Sequence, residues 1–251
     1  MEIVIIGTGN TATVLGRKFK AAKHNVVQIF GRDAAAASAL AQVLGAESTS
    51  NLNALYRDAD IYLVAVSDKA IEEIAKVLPM TGKTVVHTAA SVSKEVLKDA
   101  AHYGVFYPLQ SLRKETTHLP DIPVIIDASD KETLSLLKNL AHSISDKVSE
   151  GSDEMRAKLH LAAVFTNNFV NHLYVLAEKY CTKEGIDYQF LLPLIRETAE
   201  RMDILSPAQV QTGPAVRGDD ATINRHLELL KSYPELKAFY GLFTESMRSG
   251  T

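Results

Sequence analysis

The chain has 251 residues, 46% of them hydrophobic, which is enough for one large or two ordinary domains. Its 27 basic and 30 acidic residues leave a net charge of -3 and form no basic face for nucleic acid or an anionic membrane. The single cysteine, Cys181, excludes an internal disulfide, and the first residues read as a strand rather than a signal peptide. No apolar run approaches the ~18 residues of a membrane span. We therefore expect a soluble, cytoplasmic protein whose partners are small molecules, not nucleic acid or membrane.

Short runs rich in β-branched residues alternate with helical patterns over residues 1–150. The runs cover residues 3–6, 26–30, 61–66, 84–87, 105–107 and 124–127. Several are apolar throughout, as in strands covered by helices on both faces. This rhythm predicts an α/β domain built on a parallel sheet.

After Gly151 the pattern changes to long amphipathic helices, predicted over residues 152–181, 186–203, 220–232 and 235–248. We therefore divide the chain into an α/β domain over residues 1–150 and an all-α helical domain over residues 151–251.

The first strand runs directly into a glycine-rich loop and then into a helical pattern. The loop consists of Gly7, Thr8, Gly9, Asn10, Thr11 and Ala12, the GxGxxA form of the dinucleotide fingerprint. The first glycine permits a tight turn, the second lets backbone approach a pyrophosphate, and the alanine lets the helix pack on the strand. The strand, loop and helix together predict a Rossmann-type domain that binds a dinucleotide.

The second strand ends at Arg32 and Asp33, which offer two different contacts to a ribose. An acidic residue here would bind the 2'-hydroxyl of NAD, and an arginine the 2'-phosphate of NADP. Asp33 precedes a long helical run and is better interpreted as its N-cap. Arg32 is then free for a phosphate, so we expect NADP, although a solvated surface arginine is the alternative.

Small and hydroxylic residues follow two further strands, at the edge where open α/β sheets bind ligands. Val66 and Ser67 end one strand and are expected to line the path of the cofactor, with Asp68 as the N-cap of the next helix. Ala89, Ala90 and Ser91 follow the next strand and suit close approach by a nicotinamide ring and a polar substrate. Ser91 either binds there or caps a helix over residues 94–100.

These motifs resemble those of Rossmann-like NADP oxidoreductases of the deazaflavin-coenzyme-dependent type, which carry a C-terminal helical domain of unknown function. The resemblance also rests on segments 107–111, 160–168 and 212–219, so it spans nearly the whole chain. More distantly, the chain is similar to pyrroline-5-carboxylate reductases, ketopantoate reductases and β-hydroxyacid dehydrogenases. The resemblance implies hydride transfer in a cleft between two domains. The catalytic lysine of β-hydroxyacid dehydrogenases has an asparagine four residues later, whereas Lys158 is followed by Ala162, so the lysine role is not carried over.

The helix predicted from residue 152 carries an alternative polar stripe. At 100° per residue, His160, Asn167 and Asn171 fall on one side, with Arg156 one turn upstream and Lys158 about 200° from His160. His160 can exchange a proton near neutral pH, and Asn167 can orient a substrate, with Asn171 as a further substrate contact. The alternative is that these side chains only satisfy structural hydrogen bonds, for example in a dimer.

Gln110 follows a stiff Tyr107–Pro108 pair and is a further substrate candidate, although an ordinary loop explains it equally well. The histidines and Cys181 show no metal-ligand spacing, so no metal is expected. We predict an NADP(H)-dependent oxidoreductase, a homodimer, that acts on a carbonyl, imine or hydroxy compound bound between the domains. The alternative is a non-catalytic NADP(H) sensor or scaffold. A deazaflavin coenzyme has no specific support.

Overall fold

The computed structural model describes residues 1–78 and 82–250. The strands are β1 (Glu2–Ile6), β2 (Asn25–Phe30), β3 (Glu47–Thr49), β4 (Ile61–Val64), β5 (Thr84–His87), β6 (His102–Pro108), β7 (Val124–Ala128) and β8 (Val148–Glu150). They form one sheet in the order β3-β2-β1-β4-β5-β6-β7-β8. The pairing is parallel from β3 to β6, so these strands end at the same edge of the sheet. The pair β6 and β7 is antiparallel, and β8 runs parallel to β7.

Helices cover both faces of the sheet, which explains why its strands are apolar throughout. The helices of this part are α1 (Asn10–Ala21), α2 (Ala34–Leu44), α3 (Asp68–Ala75), α4 (Lys131–His142) and α5 (Asp153–Ala163). Ile3 and Ile5 of β1 share a core with residues of α1, α2 and α4, whereas Val4 and Ile6 share the opposite core with α3. This two-sided burial confirms the predicted Rossmann-type sheet.

The C-terminal part is helical, as predicted, but its helices are shorter and more divided. After α5, a π-helical turn (Val164–Phe169) leads into α6 (Val170–Lys183), where one continuous helix was predicted. The predicted helix over 186–203 is α7 (Leu192–Glu200) between two 3-10 turns, Tyr188–Leu191 and Arg201–Asp203. The remaining helices are α8 (Pro207–Val210), α9 (Asp220–Leu229) and α10 (Pro234–Arg248).

The chain divides into two compact units, the first Met1–Asn168 and the second beginning at Phe169. The first unit contains the whole sheet together with α5, because Leu159 packs on the core of Val105, Tyr107 and Ile125. The domain boundary at residue 150, drawn from the change in sequence pattern, stays a prediction.

The second unit exposes several large apolar side chains, including Phe190 (78%), Ile204 (84%) and Leu242 (64%). Contact with a second copy of the chain would cover such residues, and the homodimer stays a prediction. Within residues 1–78 and 82–250, no helix has both the length and the apolar content that crossing a membrane requires.

Candidate functional site

Two cavities lie where the parallel strands end. The first, which we call the glycine-loop cavity, measures about 450 Å³ and is lined by Gly7, Thr8, Gly9, Asn10, Thr11, Phe30, Gly31, Arg32, Asp33, Ala65, Val66, Ser67, Ala70 and Ile74. The second, which we call the Tyr107 cavity, measures about 540 Å³ and is lined by Thr11, Asp68, Thr88, Ala89, Ala90, Ser91, Tyr107, Pro108, Leu109, Gln110, Ser111, Leu159, His160, Ala162, Ala163, Thr166, Asn167 and Asn168. Thr11 lines both, so the two cavities adjoin. Most of the predicted site residues are therefore brought together in the first unit.

Gly7 makes the sharp turn that begins the glycine loop. Its φ of +133° lies in a region that L side chains rarely adopt, and a Cβ there would sit 2.2 Å from the carbonyl oxygen of Ala65. The Gly7 amide also donates to the carbonyl oxygen of Phe30 at 2.8 Å. The ends of β1, β2 and β4 therefore meet at a position where only glycine fits.

The first turn of α1 leaves backbone N–H groups available to a ligand. Gly9 is the N-cap residue and supplies no side-chain cap, and no acidic residue lies in this turn. A Cβ at Gly9 would find nothing within 4 Å, so the space above the loop is open. Ala12 is fully buried against the core, as the fingerprint requires. This arrangement suits a bound phosphate.

Arg32 and Asp33 have the separate surroundings expected from the sequence. The Asp33 carboxylate caps α2 by accepting from the amides of Ala35 at 2.9 Å and Ala36 at 3.1 Å, which confirms the N-cap prediction. Arg32 is exposed, lines the glycine-loop cavity and has no ion pair among the described residues. Its guanidinium is available for an anion.

Asp68 and Ser91 interact with each other rather than capping helices. Ser67 occupies the N-cap position of α3, and the Asp68 carboxylate instead accepts a hydrogen bond from the Ser91 hydroxyl. Ser93, not Ser91, caps the short 3-10 turn Lys94–Leu97, where a helix over 94–100 was predicted. The capping prediction for Asp68 is wrong, and of the two interpretations of Ser91 the capping one is excluded. The sheet edge brings β4 and β5 together, and the two side chains meet across it.

His160 faces Tyr107, a residue to which the sequence pattern gave no role of its own. The Tyr107 hydroxyl lies 3.3 Å from Nδ1 of His160, and the two rings pack edge to face. Burial raises the pKa of Tyr107, so its hydroxyl keeps its proton. This pair can donate or accept a proton inside the Tyr107 cavity. Its only sequence signal was an apolar strand that ends in a polar aromatic residue before a proline.

Asn167 also lines the Tyr107 cavity, but the predicted stripe is interrupted. The π-helical turn winds each residue through a smaller angle than an α-helix, so spacing at 100° per residue does not continue to Asn171. Asn171 lies at the start of α6 in the second unit, and its substrate role stays a prediction. Lys158 pairs with Glu154 at 2.5 Å and lines neither cavity.

Gln110 lines the Tyr107 cavity, although its amide is already used within its loop. The Nε2 group donates to the carbonyl oxygen of Asp121 at 3.1 Å, and Oε1 accepts from the Ser111 amide at 2.9 Å. The ordinary-loop explanation accounts for these contacts, and a substrate role for Gln110 stays a prediction.

A network of buried polar side chains holds the loop of residues 88–93 on the side away from the Tyr107 cavity. Arg156 is fully buried, so it does not belong to the polar stripe. Its guanidinium pairs with Asp127 at 3.2 Å and with Asp153. It also donates to the carbonyl oxygens of Gly151 and Val92. Lys94 pairs with Asp127 at 2.7 Å. These contacts fix the loop against β7 and the start of α5.

His87, at the end of β5, is the second buried support of the same loop. Its Nδ1 accepts from the Ala89 amide at 3.2 Å, so the proton is on Nε2, which donates to the carbonyl oxygen of Ser93 at 3.3 Å. Burial lowers the pKa of His87 to about 4. The ring is therefore neutral at pH 7 and acts in placing Ala89 to Ser91, not in proton exchange with a ligand.

Comparisons with known proteins agree with this geometry. Residues 2–91 match the family described as NADP oxidoreductase, coenzyme F420-dependent, and residues 122–247 match a domain of unknown function, DUF2520. The chain belongs to the DUF2520 family. Its N-terminal part is an NADP oxidoreductase domain. These matches confirm the resemblance to Rossmann-like NADP oxidoreductases with a C-terminal helical domain. A candidate NADP oxidoreductase from Bacteroides fragilis is 38% identical, with coverage of 99% of this chain and 98% of that one and a TM-score of 0.90.

Other solved structures share the fold at low sequence identity. A 1-pyrroline-5-carboxylate reductase from Streptococcus pyogenes is 16% identical over 99% of this chain and 98% of that one, with a TM-score of 0.69. An imine reductase from Myxococcus stipitatus, solved with NADP+, is 15% identical over 100% of this chain and 95% of that one, with a TM-score of 0.66. No curated protein matches the chain.

Proposed function

We propose that this DUF2520 protein is an NADP(H)-dependent oxidoreductase that reduces or oxidises a small carbonyl, imine or hydroxy compound. The observation that carries the proposal is the adjacency of two cavities, one with a dinucleotide loop and a free arginine, the other with a Tyr107–His160 pair. The neighbouring imine reductase was solved with NADP+, which supports the same cofactor here. No feature of the described residues argues specifically for the coenzyme F420 that the family description names.

The glycine-loop cavity fits a phosphorylated dinucleotide. The uncapped first turn of α1 can hold the pyrophosphate, because the open space above Gly9 lets a phosphate reach the backbone. Arg32 can pair with a 2'-phosphate, since Asp33 is engaged as a helix cap and Arg32 has no competing partner among the described residues. Val66 and Ser67 line the same cavity, and Ala89, Ala90 and Ser91 line the adjoining Tyr107 cavity, where the nicotinamide end of the cofactor would lie.

The bound nicotinamide would supply or accept the hydride, and the residues of this chain handle the proton and the orientation. In this proposal His160 exchanges a proton with a substrate in the Tyr107 cavity, while the Tyr107 hydroxyl, 3.3 Å from Nδ1, orients the imidazole ring. Asn167 can orient the substrate by hydrogen bonding. We infer a catalytic role for His160 and Asn167 and a positioning role for Tyr107.

The first test is a titration with NADPH and NADH that follows the fluorescence of the cofactor, since the chain has no tryptophan. We expect the wild type to prefer NADPH and Arg32→Ala to lose affinity for NADPH but not for NADH. Arg57→Ala, which removes the same charge from a residue lining neither cavity, is the matched control. Equal loss of both cofactors in Arg32→Ala would refute the phosphate contact, and failure of the wild type to bind either would refute the function.

The second test separates an enzyme from a sensor. NADPH oxidation is followed with a panel of simple aldehydes, ketones and cyclic imines. For an enzyme, His160→Gln loses turnover but keeps its affinity for NADPH, because His160 lines the Tyr107 cavity and not the glycine-loop cavity. A sensor would show no turnover with any member of the panel, and turnover unchanged in His160→Gln would refute the proton role.

A further inference from the structure

The Tyr107 cavity has an unusual balance of charge for a site of its size. Of its eighteen lining residues, drawn from the described part of the chain, none is lysine or arginine, and Asp68 is the one carboxylate. His160 and Tyr107 are the other ionisable side chains of the lining. The remaining lining residues are hydroxylic, amide-bearing or apolar. The cavity therefore presents a negative charge and no permanent positive charge.

Basic side chains do lie behind the wall of the cavity, but they are already neutralised. Arg156 is fully buried between Asp127 and Asp153, and Lys94 pairs with Asp127 at 2.7 Å. Neither lines the cavity. A carboxylate or phosphate entering the cavity would lose water without gaining a cationic partner, which costs free energy.

Asp68 is in the opposite situation. Its carboxylate accepts from the Ser91 hydroxyl, a neutral donor, and it forms no salt bridge among the described residues. Because each carboxylate accepts several hydrogen bonds, the Ser91 contact leaves capacity for an ammonium or iminium N–H donor. The rings of Tyr107 and His160 add an aromatic face, and a tyrosine ring attracts cations.

We propose that the Tyr107 cavity takes a positively charged nitrogen substrate, a protonated imine or the corresponding amine, that carries no carboxylate or phosphate group. This rests on the oxidoreductase function proposed above and selects one class among its substrates. In the reducing direction the carbon of the C=N bond gains a hydride from NADPH, the double bond becomes single, and NADPH leaves as NADP+. The nitrogen keeps the proton with which it bound and the amine forms neutral, so charge and atoms balance. His160 then exchanges a proton with that amine as it leaves or, in the oxidising direction, as it binds.

The experiment compares three ligands of similar shape: cyclopentylamine, cyclopentanol and cyclopentanecarboxylate. Their binding is measured calorimetrically at pH 7 to the full chain, both saturated with NADP+ and without cofactor. We expect the amine to bind at least tenfold tighter than the carboxylate, with the alcohol between them. In Asp68→Asn, amine affinity falls by about tenfold to hundredfold, as for loss of a hydrogen bond to a charged group. The affinity for the alcohol is expected to stay within twofold.

The comparison keeps the Ser91 contact and controls for the loss of one negative charge. Asn at position 68 still accepts from Ser91, so the loop contact is kept, and Glu132→Gln removes one negative charge from a residue lining neither cavity. Glu132→Gln is expected to retain the preference for the amine. Carboxylate binding as tight as amine binding, or no amine binding in either form, would overturn the proposal. If NADP+ does not bind but the amine preference is present, the oxidoreductase function fails and the charge preference stands.

Discussion

The buried ring of His87 should make the stability of the protein fall in mild acid. In the unfolded chain its pKa is about 6.5, whereas in the folded chain burial lowers the pKa to about 4. Between these values the unfolded state binds more protons than the folded state. Stability is therefore full above about pH 6.5 and is lost progressively as the pH falls toward 4.

The size of this loss follows from the two pKa values. Each unit of difference corresponds to 1.36 kcal/mol. At pH 7 both states are largely unprotonated, and by pH 5 the unfolded state has gained most of a proton that the folded state has not. We expect the free energy of unfolding to fall by about 2 kcal/mol between pH 7 and pH 5 on account of His87 alone.

The assay is urea unfolding at pH 7, 6 and 5 for the wild type and for His87→Gln. Glutamine can still donate to the carbonyl oxygen of Ser93 but does not titrate, so its curve contains the contributions of all other groups. Burial and the N-terminal charge also lower the pKa of His24, and the difference between the two curves removes that effect. Parallel pH profiles for the two proteins would show that His87 is not held neutral by the fold.

Two further changes test the glycine loop and the buried network. Gly7→Ala should lower the free energy of unfolding by about 1–3 kcal/mol and should also lose NADPH binding, because φ is +133° and a Cβ would meet the carbonyl oxygen of Ala65. Gly9→Ala should keep its stability and lose only affinity for the cofactor, because the space above Gly9 is open. Similar thermal midpoints for both variants would contradict this. Arg156→Met should cost about 3–5 kcal/mol in urea unfolding, because it leaves Asp127 and Asp153 short of a cation, and Lys94→Met should cost less, since Lys94 is partly exposed. A loss below about 1 kcal/mol for Arg156→Met would exclude a structural role for the ion pairs of Arg156 with Asp127 and Asp153.

The central strands and the glycine loop could be predicted from the sequence because their signals are local. Buried strands require continuous apolar runs, and the turn at Gly7 requires a residue without Cβ. The strands β3 and β8 were missed because they have three residues each and mostly exposed side chains. The antiparallel pairing of β6 and β7 was also missed, since residue pattern carries no information on strand direction.

The contacts within the site were harder to predict because they join distant parts of the chain. Tyr107 and His160 are 53 positions apart, and Asp68 and Ser91 are 23 apart. Local preference made Asp68 and Ser91 look like helix caps, and tertiary contact decided otherwise. Arg156 was assigned to the wrong surroundings for the same reason. Helical periodicity put it beside the polar stripe, but Asp127, 29 positions away, holds it in the core.

In the function that we propose, recognition of the cofactor is separate from recognition of the substrate. Among the described residues, Arg32 forms no ion pair and lines the glycine-loop cavity, where it suits a phosphate. Asp68 forms no salt bridge there and lines the Tyr107 cavity, where it suits a charged nitrogen. The basic residues that would reverse this pattern, Lys94 and Arg156, are held in the interior by Asp127 and Asp153. The buried network therefore has two effects. It fixes the loop of residues 88–93, and it keeps Lys94 and Arg156 out of the lining of the Tyr107 cavity. We therefore infer that the ion pairs that stabilise the fold also set the charge of the ligand that this cavity accepts.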